Sequence, residues 1–151
     1  MITKAKLADA KDIQRIINTY AKRDLMLPKS IVEVYEKIRD FYVYRSKGKV
    51  VGVAALSISW GDLAELRSLA VEKRYAKKGI GRELVEACLS EARELGVLKV
   101  FTLTYIPAFF KKFGFKVVKR ETLPHKVWTE CVNCPKFPDC GEVPLIKSIK
   151  Y

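Results

Sequence analysis

The sequence predicts an α/β fold in which helices flank a mixed central sheet. Between residues 63 and 71 the side chains fall into two alternating sets, the period-two pattern of a strand with both faces engaged. From Gly81 the apolar positions recur at three- and four-residue intervals, the spacing of an amphipathic helix, and Gly96 stands where a left-handed cap would end it. A strand that runs directly into a long helix is typical of a sheet with helical crossovers.

Two helices are predicted before the first long strand. Asp9 and Asp12 open the first helix, because acidic residues favour a helix start and an isoleucine-rich face follows at helical spacing. Ser30 and Glu33 have the spacing of a capping box, in which each side chain bonds the other residue's backbone N–H. This pair predicts the start of the second helix.

Runs rich in β-branched and aromatic residues supply the rest of the predicted sheet. They lie at residues 41–45, 50–58, 99–104 and 115–119. Lys47 and Gly48 predict a tight turn between the first two runs. Pro107 opens a short helix before the last run, because its missing N–H costs nothing at a helix start. The order is therefore two helices, an antiparallel meander, and then strand, helix, strand, helix, strand.

Length and composition favour one small domain. The chain has 151 residues, 49% of them hydrophobic, which suffices for one substantial core and leaves no room for a second domain of usual size. We expect the domain to span residues 1–124 and a cysteine-containing C-terminal extension, residues 125–151, to pack on it. No apolar run has the length of a membrane span and the N-terminus lacks a secretory pattern, so we expect a cytoplasmic protein with no membrane partner.

The chain is strongly basic. Its formal net charge of +12 at pH 7 is consistent with a polyanionic cofactor, with a nucleic-acid or membrane-surface partner, or with a lysine-rich surface. Because the Lys and Arg residues are spread along the chain, the sequence favours a cofactor together with general surface charge. Binding of RNA or DNA is the alternative.

A basic, glycine-bearing loop joins the strand of residues 63–71 to the following helix. It ends in Lys77, Lys78, Gly79, Ile80, Gly81 and Arg82. These residues supply the first amides of the helix, where unpaired N–H groups and the positive end of the helix dipole attract phosphate oxygens. The glycines let the backbone approach a ligand closely. The loop therefore predicts a pyrophosphate site, and an ordinary turn with solvated lysines is the alternative.

Three short motifs lie along this part of the chain: Leu69-Ala70-Val71 at the strand end, Gly79-Ile80-Gly81 at the helix start, and the aromatic run 109–115. Together they resemble the GNAT superfamily of acyl-CoA-dependent N-acyltransferases. The resemblance implies the GNAT fold, acetyl-CoA as co-substrate, and cofactor binding by residues 69–71 and 77–82. Ala76 departs from the family pattern, which has Arg or Gln there, so the loop has to rely on its backbone amides and its lysines.

Residues 95–104 read LGVLKVFTLT, and Leu123-Pro124 follows the aromatic run. With these features, residues 2–124 resemble the acetyltransferase domain of the N-acetylglutamate synthases, which acetylate the amino group of glutamate to begin arginine biosynthesis. The regulatory amino-acid-kinase-like domain of the long synthases has no counterpart here, so the resemblance is to the short, single-domain branch. It implies a small amino-acid substrate, and the chain is compatible with a homodimer.

Two residues are candidates for the proton transfers of acetylation, which needs a base for the ammonium, a stabilised oxyanion and an acid for the thiolate. Glu65 is our candidate base, direct or through a water; a structural ion pair with Arg67 is the alternative, and both can hold at once. A backbone N–H of residues 69–71 would meet the oxyanion. In many relatives the acid is a Tyr at the place that Phe110 holds here. Phe110 has no proton to give, so we assign the acid to Tyr105; a packing role is the alternative for Tyr105.

A dicarboxylate acceptor requires cationic groups away from the cofactor. Lys29, beside the start of the second helix, and Arg67 are the candidates, Arg being the better bidentate partner for a carboxylate. Strict alternation places Arg67 on one face with Glu65, Leu69 and Val71. For Lys29, an ordinary surface lysine is the alternative.

The C-terminal segment contains a cluster of metal-ligand residues, namely His125, Cys131, Cys134 and Cys140. Cys-x2-Cys can hold a metal between two thiolates, and the other two residues could complete a tetrahedral structural zinc site. A disulfide, or reduced thiols packed under Trp128, are the alternatives. GNAT-type transfer requires no metal, so the cluster is not expected to be catalytic.

The resemblance therefore implies an acetyl-CoA-dependent amino-acid N-acetyltransferase, and we expect L-glutamate as its acceptor. Acetylation of a protein N-terminus or of another small amine is the alternative within this class. Ala76 and Phe110 leave a second class open, a non-catalytic CoA-binding or nucleic-acid-associated regulatory module.

Overall fold

The computed structural model describes residues 1–23, 25–26, 28–123 and 142–149. The strands are β1 (Ile2–Lys4), β2 (Phe41–Ser46), β3 (Lys49–Trp60), β4 (Leu63–Val71), β5 (Lys99–Thr104), β6 (Lys116–Val117) and β7 (Val143–Ser148). The α-helices are α1 (Ala10–Ala21), α2 (Ile31–Glu36), α3 (Ile80–Glu94) and α4 (Pro107–Lys111).

The strands form one mixed sheet in the order β1-β2-β3-β4-β5-β7-β6. Neighbouring strands are antiparallel except β4 and β5, which run parallel and are joined through α3. This arrangement confirms the predicted α/β class with a mixed central sheet. In the described ranges, none of the helices combines the length and the apolar character needed to cross a membrane.

Two apolar cores lie on opposite faces of the sheet. The core beneath α1 and α2 includes Ile13, Ile17, Val34, Val43 and Val53. The core beneath α3 and α4 includes Leu66, Leu84, Cys88, Val100 and Phe110. Because each helix buries its apolar stripe against the sheet, the helices fix the two faces of β4 independently.

Local sequence signals set several element ends as predicted. The Ser30 hydroxyl accepts a hydrogen bond from the N–H of Glu33 at 3.1 Å, and the Glu33 carboxylate accepts one from the Ser30 N–H at 3.2 Å. The predicted capping box is therefore confirmed. Gly96 ends α3 with φ 80°, and Lys47 and Gly48, with φ 52° and 78°, form the tight turn between β2 and β3.

Two strands have no counterpart among the predicted elements. β1 pairs with β2 at one edge of the sheet, and β7 lies between β5 and β6. The predicted return strand 115–119 is reduced to the two residues of β6, which pair with β7. Residues 143–148 of the predicted C-terminal extension therefore complete the sheet, and the domain division at residue 124 stays a prediction.

Gly52 lets the start of α3 approach β3 closely. A Cβ atom at this position would meet Ile80 Cγ2 at 3.0 Å and Leu84 Cδ1 at 3.1 Å. Both neighbours are buried, so they cannot move aside into solvent. Since Ile80 is the first residue of α3, the missing side chain helps to set the position of the loop that precedes this helix.

We predict that Gly52→Ala lowers the free energy of unfolding by about 1–3 kcal/mol, because overpacking forces buried side chains to shift. Gly61→Ala is the matched control, since a Cβ there would have no heavy atom within 4 Å. Urea unfolding followed by circular dichroism measures both variants. Equal stability of the two variants would contradict the packing argument.

Candidate functional site

β4 and β5 separate after a short parallel pairing, which ends at Glu65 and Phe101. One step further, the Thr102 hydroxyl donates a hydrogen bond to the Leu66 carbonyl at 2.8 Å. A cavity of about 160 Å³ opens between the strands from this point; we call it the β4–β5 cleft. The sheet therefore has an opening near its centre, where backbone groups of β4 are accessible to a ligand.

The walls of the cleft come from both separated strands and from helices on both faces. β4 contributes residues 66–69, and β5 together with the loop that leads to α4 contributes residues 102–106. Tyr105, the candidate acid, thus lines the cleft. Phe110 of α4, only 3% exposed, forms an apolar wall, and Tyr20 of α1 closes the other side.

A bulge in β4 lies beside the cleft at Ser68. The register with β3 shifts from Val53 opposite Ala70 to Ala55 opposite Arg67, so β4 has one residue more than β3 between these points. Ser68 takes φ 58°, in the left-handed region. A bulge of this kind bends its strand and re-aims the side chains that follow it.

The bulge corrects the expectation that Glu65, Arg67, Leu69 and Val71 share one face of β4. Leu69 and Val71 pack against the core beneath α3, whereas Arg67 faces a cavity on the α2 side. The extra residue reverses the inside-outside alternation beyond Arg67. Strict period-two reasoning was therefore wrong for the last part of this strand.

The backbone of β4 presents hydrogen-bonding groups to the cleft. The N–H of Glu72 donates to the Val51 carbonyl at 2.8 Å, so this end of β4 still bonds β3. Because the backbone groups of successive strand residues alternate in direction, those of Leu69 and Val71 point away from β3. Consistent with this direction, the Val71 carbonyl accepts a hydrogen bond from the Tyr20 hydroxyl.

A second cavity, of about 430 Å³, lies between α2 and the sheet, and we call it the α2 cavity. Lys29 and Arg67, the predicted substrate residues, both line it, so the structure brings them together. Arg67 and Ser68 line the β4–β5 cleft as well as the α2 cavity. The two cavities therefore share a wall at the bulge.

Carboxylates also line the α2 cavity, namely those of Glu33, Glu36 and Asp40. The Glu33 carboxylate lies 3.9 Å from Lys29 Nζ. The hydrogen bond from the Ser30 backbone N–H, and then the charges of Lys29 and Arg67, hold the pKa of Glu33 below its usual value. Glu33 is thus an anion that forms an ion pair with Lys29. The α2 cavity therefore carries charges of both signs.

Glu65 lies next to Arg67 on β4, opposite Ser57 of β3. Its Oε1 atom is 3.7 Å from Arg67 Nη1, and the two side chains are 13% and 28% exposed. The ion pair that the sequence offered as an alternative role therefore exists. Glu65 is not among the residues that line the β4–β5 cleft or the α2 cavity, so its role as a base stays a prediction. Ser57 in turn donates to Asp40 Oδ2 at 3.0 Å.

The predicted phosphate loop, residues 77–82, places backbone amides at the start of α3. Gly79 caps the helix with φ 82°, and Lys77 has φ 63°. The N–H of Glu83 donates to the Gly79 carbonyl at 3.1 Å. The amides of residues 80–82 therefore precede the first hydrogen bond of the helix and are available to an anion.

Side chains add positive charge around the loop. Lys78 Nζ lies 5.5 Å from the ring centre of Tyr75, a cation–π distance. Arg82 pairs with Glu86 at 3.1 Å on an exposed face of α3. Ala76, at the position where the family pattern has Arg or Gln, offers no side-chain donor, so the amides and lysines carry the charge complementarity.

Sequence reasoning missed three polar groups at the site. Tyr20 belongs to the apolar stripe of α1, and nothing in its spacing indicates that its hydroxyl bonds the end of β4. Asp40 and Ser57 are distant in sequence and meet only because a short helical turn brings Asp40 over β3. The signal that the sequence offers for these three residues is that each side chain is polar.

The predicted zinc ligands His125, Cys131, Cys134 and Cys140 lie outside the described residues, so this hypothesis stays a prediction. Within the described ranges, no three His, Cys, Asp or Glu side chains come together as a metal site would require. The described part of the site is therefore built from backbone amides, cations and carboxylates.

Comparison with known proteins identifies the class of protein to which this fold and cleft belong. The acetyltransferase (GNAT) domain model matches residues 37–117. The chain belongs to this family and is an N-acetyltransferase. An uncharacterized N-acetyltransferase of Chlorobaculum tepidum is 43% identical over 148 residues, covering 98% of this chain and 96% of that protein. The amino-acid acetyltransferase of Mycobacterium tuberculosis is 34% identical over 133 residues, covering 86% and 76%.

Solved structures give the same result for the fold. A Mycobacterium tuberculosis protein in complex with CoA and NLQ superposes with a TM-score of 0.87 at 29% identity, covering 99% of both chains. The N-acetylglutamate synthase of Neisseria gonorrhoeae, complexed with CoA and N-acetyl-glutamate, superposes with a TM-score of 0.92 at 22% identity, covering all of this chain and 35% of that one. The predicted resemblance to the acetyltransferase domain of these synthases is therefore confirmed for the fold.

We predict that Ser68→Val lowers the free energy of unfolding by about 1–3 kcal/mol, because a β-branched residue is strained in the left-handed region. Ser68→Gly should stay within about 0.5 kcal/mol of the wild type, since glycine adopts this conformation without strain but loses more entropy on folding. Chemical denaturation compares the two. A similar loss in both would show that the side-chain contacts of Ser68, and not its backbone, determine stability here.

Proposed function

We propose that the protein transfers the acetyl group of acetyl-CoA to the α-amino group of L-glutamate. The observation that carries this proposal is the wall shared by the two cavities: Arg67 and Ser68 line both the cleft in the sheet and the cavity that contains Lys29. A thioester in the cleft and an amino acid in the α2 cavity would meet at this wall.

The cofactor is proposed to lie across the C-terminal end of β4. The amides of residues 80–82, with Lys77 and Lys78, would bind its pyrophosphate. The outward backbone groups of Leu69 and Val71 would bond the amide groups of its pantetheine arm, as an added strand would. The Mycobacterium tuberculosis neighbour is complexed with CoA, which supports the same ligand here.

Glu65 is proposed as the general base and Tyr105 as the general acid. Glu65, directly or through a water, would take a proton from the ammonium, and the amine nitrogen would then attack the thioester carbon. A backbone N–H within residues 69–71 would stabilise the oxyanion. When the intermediate collapses, the C–S bond breaks, the thiolate takes the Tyr105 proton, and the second proton of the attacking nitrogen passes to the Tyr105 oxygen, directly or through a water. Because the amine attacks the thioester itself, no covalent enzyme intermediate is formed.

The acceptor site is proposed to hold both carboxylates of glutamate. Arg67 can bind one carboxylate through two parallel N–H donors, and Lys29 can bind the other as a point charge. By our proposal the reaction belongs to arginine biosynthesis; the charge pattern and the similarity to an amino-acid acetyltransferase support this proposal. The three carboxylates of the α2 cavity favour a second candidate, a small amine that carries extra positive charge.

The test is release of CoA thiol from acetyl-CoA with glutamate, glutamine, aspartate, a polyamine and a short peptide as acceptors. We expect turnover to be fastest with glutamate. Preference for the polyamine or the peptide would instead support the second candidate or protein N-terminal acetylation. Tight acetyl-CoA binding without turnover of any acceptor would contradict the proposal and favour a regulatory module.

Glu65→Gln should lower kcat by about 100-fold or more, because a general base typically contributes at least that factor. Acetyl-CoA affinity should not change, since the proposed cofactor contacts lie elsewhere. Glu94→Gln, an exposed position on α3, is the matched control and should keep wild-type kcat. A Glu65→Gln enzyme with nearly full kcat would restrict Glu65 to its ion pair with Arg67.

Arg67→Lys should raise KM for glutamate about tenfold or more, because the charge remains but the bidentate contact to a carboxylate is lost. Arg39→Lys, an exposed position outside both cavities, serves as control. Initial rates over a range of glutamate concentrations at saturating acetyl-CoA measure both variants. An unchanged KM in Arg67→Lys would remove Arg67 from the acceptor site.

A further inference from the structure

A third cavity lies between the C-terminal half of α1 and the helical turn that follows β4. It is an open groove of about 890 Å³, and we call it the α1 groove. Its charged lining consists of Arg15, Arg23, Lys49, Glu72, Lys73 and Arg74. None of these residues has a role in the proposed acetyl transfer.

The positive charge of the α1 groove exceeds what its own carboxylate can neutralise. Among the described residues that line it, Glu72 is the single anion, and Arg15 at 2.7 Å and Lys49 at 3.9 Å both contact that carboxylate. In the described structure, Arg23, Lys73 and Arg74 make no ion pair with any carboxylate. The groove therefore concentrates three unneutralised cations in a concave site, where they favour an anionic ligand.

The three cations that make no ion pair in the described structure come from two different elements that line the groove. Arg23 follows the end of α1, whereas Lys73 and Arg74 belong to the turn Lys73–Tyr75 after β4. A diphosphate presents anionic oxygens in two directions, and each guanidinium can bind one phosphate through two N–H donors.

We propose that the α1 groove binds a diphosphate-bearing ligand other than the CoA of the active site. The groove borders the cleft through Tyr20, which lines both cavities and whose hydroxyl bonds the Val71 carbonyl. Val71 ends the strand along which the cofactor is proposed to lie. A ligand in the groove would therefore lie beside Tyr20, whose hydroxyl bonds this strand end.

The proposal is tested by isothermal titration of inorganic pyrophosphate into protein saturated with CoA, so that the phosphate loop is already occupied. We expect one pyrophosphate per chain. The double variant Arg23→Gln/Arg74→Gln should bind it about tenfold or more weakly, because each arginine supplies a charge-assisted contact. The control is Lys11→Gln/Lys119→Gln, which removes the same net charge from exposed positions outside the groove. It should change the pyrophosphate affinity less than about twofold, because the charge of distant residues is screened.

Three results would overturn the proposal. Absence of binding to the CoA-saturated protein would show that the groove takes no diphosphate. Binding to the CoA-free protein that CoA abolishes would assign pyrophosphate to the cofactor site. Equally weakened pyrophosphate binding in both double variants would show that the loss of affinity comes from net charge and not from contacts in the groove. The readout is binding and not turnover, so each of these results is independent of whether the protein acetylates glutamate.

Discussion

The separation of β4 from β5 is the constraint on which the rest of the site depends. A parallel pair that continued beyond Glu65 and Phe101 would satisfy the backbone groups of β4 and close the sheet. Because the pairing stops there, the cavity forms, and the outward groups of Leu69 and the outward N–H of Val71 are left out of the strand pairing; the Val71 carbonyl bonds the Tyr20 hydroxyl. α3 and α4 hold one side of this opening and α1 holds the other, so both cores contribute to keeping it open.

The β4–β5 cleft and the α2 cavity share a wall at the bulge around Ser68. It sends Leu69 and Val71 into the core beneath α3 while Arg67 stays on the α2 side. The backbone beside Ser68 therefore belongs to both cavities. A regular strand would have placed the side chains of Arg67, Leu69 and Val71 on the same face of the sheet. The strained backbone of Ser68 thus lies at the point where the two substrates are proposed to meet.

Short-range signals made the helices, and the glycine-bearing loop at the start of α3, predictable from the sequence. The Ser30–Glu33 box and Gly96 act within a few residues, so their spacing alone locates the helix ends. The bulge could not be predicted, because it depends on the register between β3 and β4. β7 was missed because its strand pairing joins residues far apart in the chain. The Tyr20 bond to Val71 likewise spans 51 positions, and only the folded chain brings these residues together.

The most direct test of the account is a crystal structure of the protein with CoA and N-acetyl-L-glutamate. The account predicts the CoA sulfur in the β4–β5 cleft beside Tyr105, the pyrophosphate on the amides of residues 80–82, and the product carboxylates at Arg67 and Lys29. CoA bound away from the cleft, or a product that makes no contact with Arg67, would contradict it.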